Sequence, residues 1–309
     1  MGESFSRAKE VKAEKRKREF QKNIFLAAII GIPLLNFIIF YVFVNFNSII
    51  MAFQEYNLDT SKFEWAGMKN FKNFFDDVFH DAKMITAMKN SAILFCSTLT
   101  ISLACILITY FLWGGILGSG FFRVVLFLPQ MISTMVFVCI GRYFIGNALP
   151  IIFNNPSLSN ALYQQDTQFI TTLVYDMFFG LAGNMILYLG AMSNVSKDVV
   201  EYGKIDGVNT AQELWHIVLP AIYPTISTFL VVHVATYFSS YGSMFSFQGQ
   251  FAYEESYTLG YYFFNMIYSA TTYAEYPYAA TGGLAFTLLA IPLTFAVRWI
   301  LAKVGPKEE

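Results

Sequence analysis

The sequence predicts an all-α polytopic membrane protein with six transmembrane helices, and three observations carry that prediction. Of 309 residues, 56% are hydrophobic and only 13% charged, where a soluble domain carries about 25% charged residues. Six apolar runs, roughly 24–53, 91–112, 124–146, 168–192, 222–245 and 280–302, each supply the approximately 20 residues a helix needs to cross the hydrocarbon layer. The polar residues between the runs are unevenly distributed in sign. The net charge of -1 says little beside that placement.

Residues 1–23 are helix-prone and polar, with Lys9, Lys12, Lys15, Arg16, Lys17, Arg18 and Lys22 interleaved with Glu10, Glu14 and Glu19. Basic flanks stay on the cytoplasmic side, which predicts a cytoplasmic N-terminal tail. Its positive excess also suits contact with anionic lipid. The segment is short, mixed in sign and tied to a span, so no nucleic-acid partner is expected. The first apolar run is too long for a cleavable signal and ends in no small-residue cleavage site. At 24–53 it exceeds the bilayer thickness, so it tilts or projects, with Pro33 as a candidate kink. Residues 54–89 form an outer segment, and a second span at 91–112 opens with Asn90-Ser91.

A glycine-rich inner turn, Gly114-Gly115 to Gly118-x-Gly120, ends in Arg123. It is no phosphate loop, because no Gly-Lys-Ser/Thr follows. The third span, 124–146, is interrupted by Pro129 and carries Arg142 near its outer end. Outer residues 147–167 lead to the fourth span, 168–192, with Asp176 and Asn184. The fifth, 222–245, carries His233 and a polar-aromatic run from Thr236 to Tyr241. A third outer loop, 246–279, has Glu254, Glu255 and Glu275 without Lys or Arg. The sixth span, 280–302, and a short cytoplasmic tail, 304–309, complete the 24–303 transmembrane domain. Six spans that start inside also end inside.

Residues 201–220 form a charged island between the fourth and fifth spans. Val199, Tyr202 and Ile205 fall at helical spacing, which predicts an amphipathic helix from about Lys197 to Asp206. Gly207 can take the left-handed backbone that ends such a helix. Thr210-x-x-Glu213 reads as a capping box opening a second helix, with Leu214, Ile217 and Val218 as its apolar side. Pro220 is expected to end it.

Polar residues inside spans face protein or a water-filled path. Asp176 and Arg142 suit either a buried ion pair between the third and fourth spans or a substrate role. His233 suits a neutral, hydrogen-bonded packing role. The three histidines, His80, His216 and His233, are scattered and offer no metal pattern. Cys96, Cys105 and Cys139 lie within apolar runs as small apolar side chains rather than a disulfide framework. No nucleophile–base set is evident, so an intramembrane enzyme is not supported. An ion-coupled secondary transporter would show paired ionisable residues and an internal repeat, and neither is evident.

The island resembles the signature loop of permease subunits of binding-protein-dependent type I ABC importers, whose pattern is Glu-Ala-Ala, three residues, Gly, nine residues, Ile-x-Leu-Pro. Glu201, Gly207, Ile217, Leu219 and Pro220 fall in register and Asp206 precedes the glycine, while Tyr202 and Gly203 replace the two alanines. Gly67-Met68-Lys69-Asn70-Phe71 resembles the Gly-Leu-Lys-Asn-Phe segment of the carbohydrate-uptake, maltose-permease-like branch, and the stretch Phe122 to Pro129, an arginine followed by apolar residues and Leu-Pro, resembles the family as a whole. The resemblance implies a second homologous permease, two cytoplasmic ATPases that hold ATP and Mg, and an extracytoplasmic solute-binding protein. It implies no catalytic residue, metal or cofactor in this subunit, and a cell-membrane location. Coupling to the ATPases falls on Glu201, Tyr202, Asp206, Gly207, Ile217, Leu219 and Pro220.

The family's sugar path, counted from these motifs, falls on Gln130, Thr134, Asp176, Phe179, Gly180, Gly183, Thr236, Tyr237 and Ser240. Independently of the register, carboxylate, amide and hydroxyl groups suit sugar hydroxyls and aromatic faces suit ring C–H groups. Close helix packing is the alternative for each Thr, Ser or Gly. The substrate expected is an oligosaccharide or polyol, with an amino acid or peptide as the alternative.

Overall fold

The computed structural model describes residues 2–306, with side chains described for 16–27 and 29–306. The side chains of the tail residues Lys9, Glu10, Lys12, Glu14 and Lys15, and the last residues 307–309 altogether, fall outside that description. Among the described residues, six helical stretches are long and apolar enough to cross a membrane: Arg16–Met51, Ala82–Trp113, Thr134–Ile152, Gln168–Ser193, Thr210–Thr236 and Tyr273–Val304. Helix is the form expected here, because a spanning segment must satisfy its own backbone groups.

The first helix, α1 (2–51), passes through Pro33 and contains a π-helical stretch at Phe37–Phe43. Its described apolar side chains are largely exposed, while its last turns, Val44–Met51, pack against the final helix of the chain. A small hairpin follows, β1 (Gln54–Asn57) and β2 (Lys62–Trp65), antiparallel with Gln54 opposite Trp65 and Asn57 opposite Lys62. Helix α2 (Lys69–His80) then leads into α3 (Ala82–Trp113), which starts earlier than the hydropathy run because Asp81 caps it, accepting from Lys83 N and Met84 N.

The segment Gly67–Phe71 has a definite task. Asn70 donates to the carbonyls of Ala52 (3.2 Å) and Gln54 (2.7 Å). Lys69 pairs with Glu55 at 2.7 Å, and Phe71 packs on Phe53 with ring centroids 5.1 Å apart. Together they clamp the end of α1 to α2.

Two spans are broken. The third consists of α4 (Ser119–Met131) and α5 (Thr134–Ile152), parted at Ile132-Ser133. Pro129 lies inside α4, and Ser133 caps α5 through Val136 N. The fourth consists of α6 (Gln168–Gly180) and α7 (Met185–Ser193), parted at 181–184. Helix α8 (Lys197–Ile205) forms the island, and α9 (Thr210–Thr236) is the fifth span.

The expected fifth span at 222–245 is therefore displaced. Helix starts at Thr210 and stops at Thr236, after which the chain turns through 237–243 into the short α10 (Met244–Gln248). The third outer loop is not irregular throughout, for it contains α11 (Leu259–Tyr268). The last span is α12 (Tyr276–Val304).

Two expectations about α9 need correction. The capping box is not Thr210 with Glu213. Asn209 accepts from Gln212 N at 2.9 Å while the Gln212 side chain accepts from Asn209 N at 3.0 Å, one residue earlier, because Glu213 is turned inward. Nor does Pro220 end the helix. A π-helical turn at Leu214–Val218 precedes it, and this wider turn accommodates a proline that lacks an N–H and crowds the preceding carbonyl.

Three of the four buried apolar clusters join the long helices. Cys105, Tyr110, Met185, Tyr188, Leu214, Val218 and Ile222 join α3, α7 and α9 near the island. Inside that cluster the hydroxyls of Ser102 and Tyr188 meet at 2.8 Å. Phe74, Met84, Ala87, Leu259, Ala285 and Phe286 join α2, α3, α11 and α12 near the hairpin. Val138, Ile145, Leu162, Tyr175 and Phe247 join α5, α6 and α10. Of the cysteines, only Cys105 is buried, while Cys96 and Cys139 are free and exposed.

Candidate functional site: a polar cavity at the helix breaks and an elbow below it

A cavity of about 530 Å³ lies where α3, both broken spans and the 240–243 turn meet. Irregular backbone inside a membrane is tolerated only where protein buries it or a water-filled cavity accepts its hydrogen bonds, and both breaks border this cavity. Gln130 ties them together by donating from Nε2 to the carbonyl of Ala182 at 2.6 Å. The turn after α9 is tied to α6 by Asp176, whose Oδ2 accepts from Ser243 N at 3.0 Å and whose Oδ1 accepts from Ser243 Oγ. Gly242 sits against that carboxylate with φ +55, and a Cβ there would collide with it. Only glycine allows both the left-handed backbone and the approach.

Of the residues expected on the path, Gln130, Thr134, Asp176, Phe179, Gly180, Gly183 and Ser240 all line this cavity. Phe179 packs between Phe137 and Tyr175, with centroids 4.5 and 4.4 Å away, and the three make an aromatic wall. Gly180 leaves room beside Ile101, and Gly183 faces the Gly180 carbonyl and Gln130.

Thr236 and Tyr237 do not line it. Thr236 returns its hydroxyl to the Val232 carbonyl at 3.0 Å, and Tyr237 packs edge-on against Phe95 and Phe238. The helix ends between these residues and Ser240, so a register counted along one continuous helix cannot hold across the turn. The lining also includes Ser97 and Thr98 of α3, Asn184 and Ser243. The signal for Ser97 and Thr98 was present in the sequence as two adjacent hydroxyls inside an apolar span.

No ion pair forms between Arg142 and Asp176. Asp176 is satisfied by Ser243, and Arg142 lines a separate cavity with Tyr163, Gln168 and Gln248. His233 is not hydrogen-bonded as expected: its buried Nε2 has no partner among the described residues, and its ring lies near Phe229.

At the opposite end of α7 and α9 lies the elbow. Helix α8 closes in a Schellman motif, with Gly207 N bonded to the Lys204 carbonyl (3.2 Å), Val208 N to the Gly203 carbonyl (2.9 Å) and Gly207 at φ +80. Val200 is buried, while Val199, Tyr202 and Ile205 are exposed, the last two at 69% and 80%. Glu201 and Asp206 are exposed beside them. Gly203, where the family pattern has alanine, has a physical reason: a Cβ would lie 2.9 Å from Ile217 Cδ1. Thus Ile217 packs directly on the α8 backbone, with Leu219 and Pro220 half-buried beyond it. The elbow is fastened to α3 by Tyr110, whose hydroxyl bonds the Thr210 carbonyl and Glu213 Oε1, each at 3.1 Å.

Membrane-spanning helices broken around a polar cavity, joined by a braced polar elbow, define a transmembrane permease. The chain belongs to the binding-protein-dependent transport system inner membrane components, whose sequence model matches residues 89–308. It is 24% identical over 250 residues to the multiple sugar-binding transport system permease protein MsmF of Streptococcus mutans, covering 78% of this chain and 84% of that protein. It is 26% identical over 240 residues to the polygalacturonan/rhamnogalacturonan transport system permease protein YteP of Bacillus subtilis, covering 72% of each. The fold matches a chain of a bacterial ABC transporter involved in import of the acidic polysaccharide alginate, with TM-score 0.75, 18% identity, and 94% and 99% of the two chains covered. The chain is thus a membrane-embedded permease subunit of a transporter.

Proposed function

We propose that this permease passes an oligosaccharide through the cavity at its helix breaks. The observation that carries the reading is the lining itself: amide, carboxyl and hydroxyl groups from Gln130, Asp176, Ser97, Thr98, Ser240 and Ser243 together with the aromatic rings of Phe137, Tyr175 and Phe179. Sugars present the matching surfaces, hydroxyls around the ring edge and C–H groups on its faces. The sugar-system relatives support the same class of cargo.

A second, homologous permease completes the path in this reading. One of two ATPases docks on α8, whose exposed Val199, Tyr202 and Ile205 give an apolar edge within a charged helix. A binding protein delivers the sugar at the hairpin end, both chain ends lie in the cytoplasm, and ATP and Mg act on the partner subunits. The test is reconstitution of the complete complex with its binding protein in proteoliposomes. ATP hydrolysis should rise several-fold with an oligosaccharide-loaded binding protein and not with one loaded with an amino acid or peptide. Stimulation by the latter alone would overturn the sugar assignment.

A further inference from the structure

We infer that the cavity admits uncharged saccharides and excludes anionic ones, such as uronate oligomers. The inference rests on reading the cavity as the sugar site. Eighteen residues line the cavity, and not one is Lys, Arg or His. The sole carboxyl group in the lining is Asp176, held in place by both Ser243 bonds.

The two arginines of the third span lie elsewhere in the fold. Arg123 donates to the Leu112 carbonyl at 2.6 Å at the foot of α4, and Arg142 lines the other cavity beyond Phe247. Helix dipoles supply no substitute. The breaks present the C-termini of α4 and α6 as well as the N-termini of α5 and α7, so partial charges of both signs meet there.

A carboxylate leaving water needs a cation or several donors to replace its hydration. Here it would meet a second carboxyl group and neutral donors alone, such as Thr134, Asn184 and Ser240, with no cation among the lining residues. A neutral sugar has no such penalty, and Asp176, with each oxygen already accepting one bond, keeps lone pairs for sugar hydroxyls. The alginate importer that shares this fold is described as carrying an acidic polysaccharide, so fold alone does not set this preference. The lining does.

The test uses the whole complex, permeases with ATPases, in lipid nanodiscs without binding protein. Direct binding would be measured by calorimetry for maltotriose, cellotriose and α-1,4-galactotriose, and for the uronate trimers that differ from them only in oxidation at C6. The neutral trimer that binds best should bind at least tenfold more tightly than its uronate. Asp176→Asn should narrow that ratio at least threefold. Thr134→Lys, which adds a cation and leaves the Asp176–Ser243 contact intact, should narrow it further. Equal or tighter uronate binding to the wild type overturns the inference, and so does a ratio that neither substitution moves. If no trimer of either kind binds, the cavity is not a saccharide site and the reading beneath the inference falls as well.

Discussion

Tyr110 donates its hydroxyl to Glu213, so the second span and the elbow share a hydrogen bond across 103 residues of sequence. The same oxygen also bonds the Thr210 carbonyl. A buried carboxylate on the first turn of α9 therefore has a fixed partner on α3, and the elbow cannot turn without moving that partner or breaking the bond. Hydrogen bonds to charged groups contribute about 1.5–3 kcal/mol. Tyr110→Phe should leave the complex assembled, lower its thermal midpoint by a few degrees, and reduce substrate-stimulated ATP hydrolysis several-fold. Full stimulation in that variant would show that the brace has no part in coupling.

The two glycines of the elbow should behave differently. Gly207 has φ +80 with open space around it, so Gly207→Val fails by backbone strain of about 1–2 kcal/mol rather than by collision. Gly203→Ala comes too close only to the terminal methyl of Ile217, which can turn aside, and its effect should stay below about 1 kcal/mol. Co-purification of the ATPases should drop sharply for the first and remain near wild type for the second, with the membrane core folded in both.

Gln130 and Tyr237 offer a contrast at the cavity. Gln130→Ala removes the tie between the two breaks and leaves the Ala182 carbonyl short of a donor, at about 1–3 kcal/mol. Transport should fall at least fivefold. Tyr237→Phe keeps the ring contacts to Phe95 and Phe238, and transport should stay within twofold of wild type in the same uptake assay.

At the hairpin end, Asn90 donates to the carbonyls of Glu255 (2.7 Å) and Tyr257 (2.9 Å), and Ser91 accepts from Leu259 N at 2.8 Å. These bonds seat α11 against α3. Asn90→Ala should cost about 2–3 kcal/mol, because two half-buried carbonyls lose their donor. Nearby, Lys83 pairs with Glu254 where both side chains are half-exposed at 52%. An exposed pair contributes little, so Lys83→Met should leave the thermal midpoint within a degree or two.

Orientation is testable by cysteine labelling. In a background with Cys96, Cys105 and Cys139 replaced, an impermeant maleimide added outside intact cells should modify Lys62→Cys and Glu255→Cys. Lys204→Cys should react only after permeabilisation. Labelling of Lys204→Cys in intact cells would invert the topology.

The spans, the amphipathic α8 and the left-handed Gly207 were legible because each leaves a local mark: a long apolar run, a helical period, a glycine after it. Pro129 marked the break in the third span, but the break in the fourth left no such mark. Residues 181–184, Leu-Ala-Gly-Asn, are nearly as apolar as their neighbours, and hydropathy cannot distinguish a helix from a turn inside the membrane. The end of α9 was hidden in the same way, since Tyr237-Phe238 continues the run past the point where the chain turns. That is why Thr236 and Tyr237 were expected beside Ser240 and lie apart from it. Asn209 was missed as the cap because Thr210 and Glu213 match the same pattern one residue later, and only Tyr110, distant in sequence, decides where Glu213 points. Asp176 stood out as costly in a span, but its partner was Ser243, in a turn that had been read as helix.

The broken spans have a mechanical consequence. Helix α6 has 13 residues and measures about 20 Å, so it is too short to cross the bilayer, and α7 with 9 residues is shorter still. Each broken span is therefore two levers on one fulcrum, and the fulcrum is the cavity. Helix α7 carries the elbow, while α6 and α5 carry the connections near the hairpin. The unbroken α3, 32 residues long, stands beside them as a post. A push on the elbow can swing the lower levers while the upper ones hold, which opens one mouth of the cavity without opening the other.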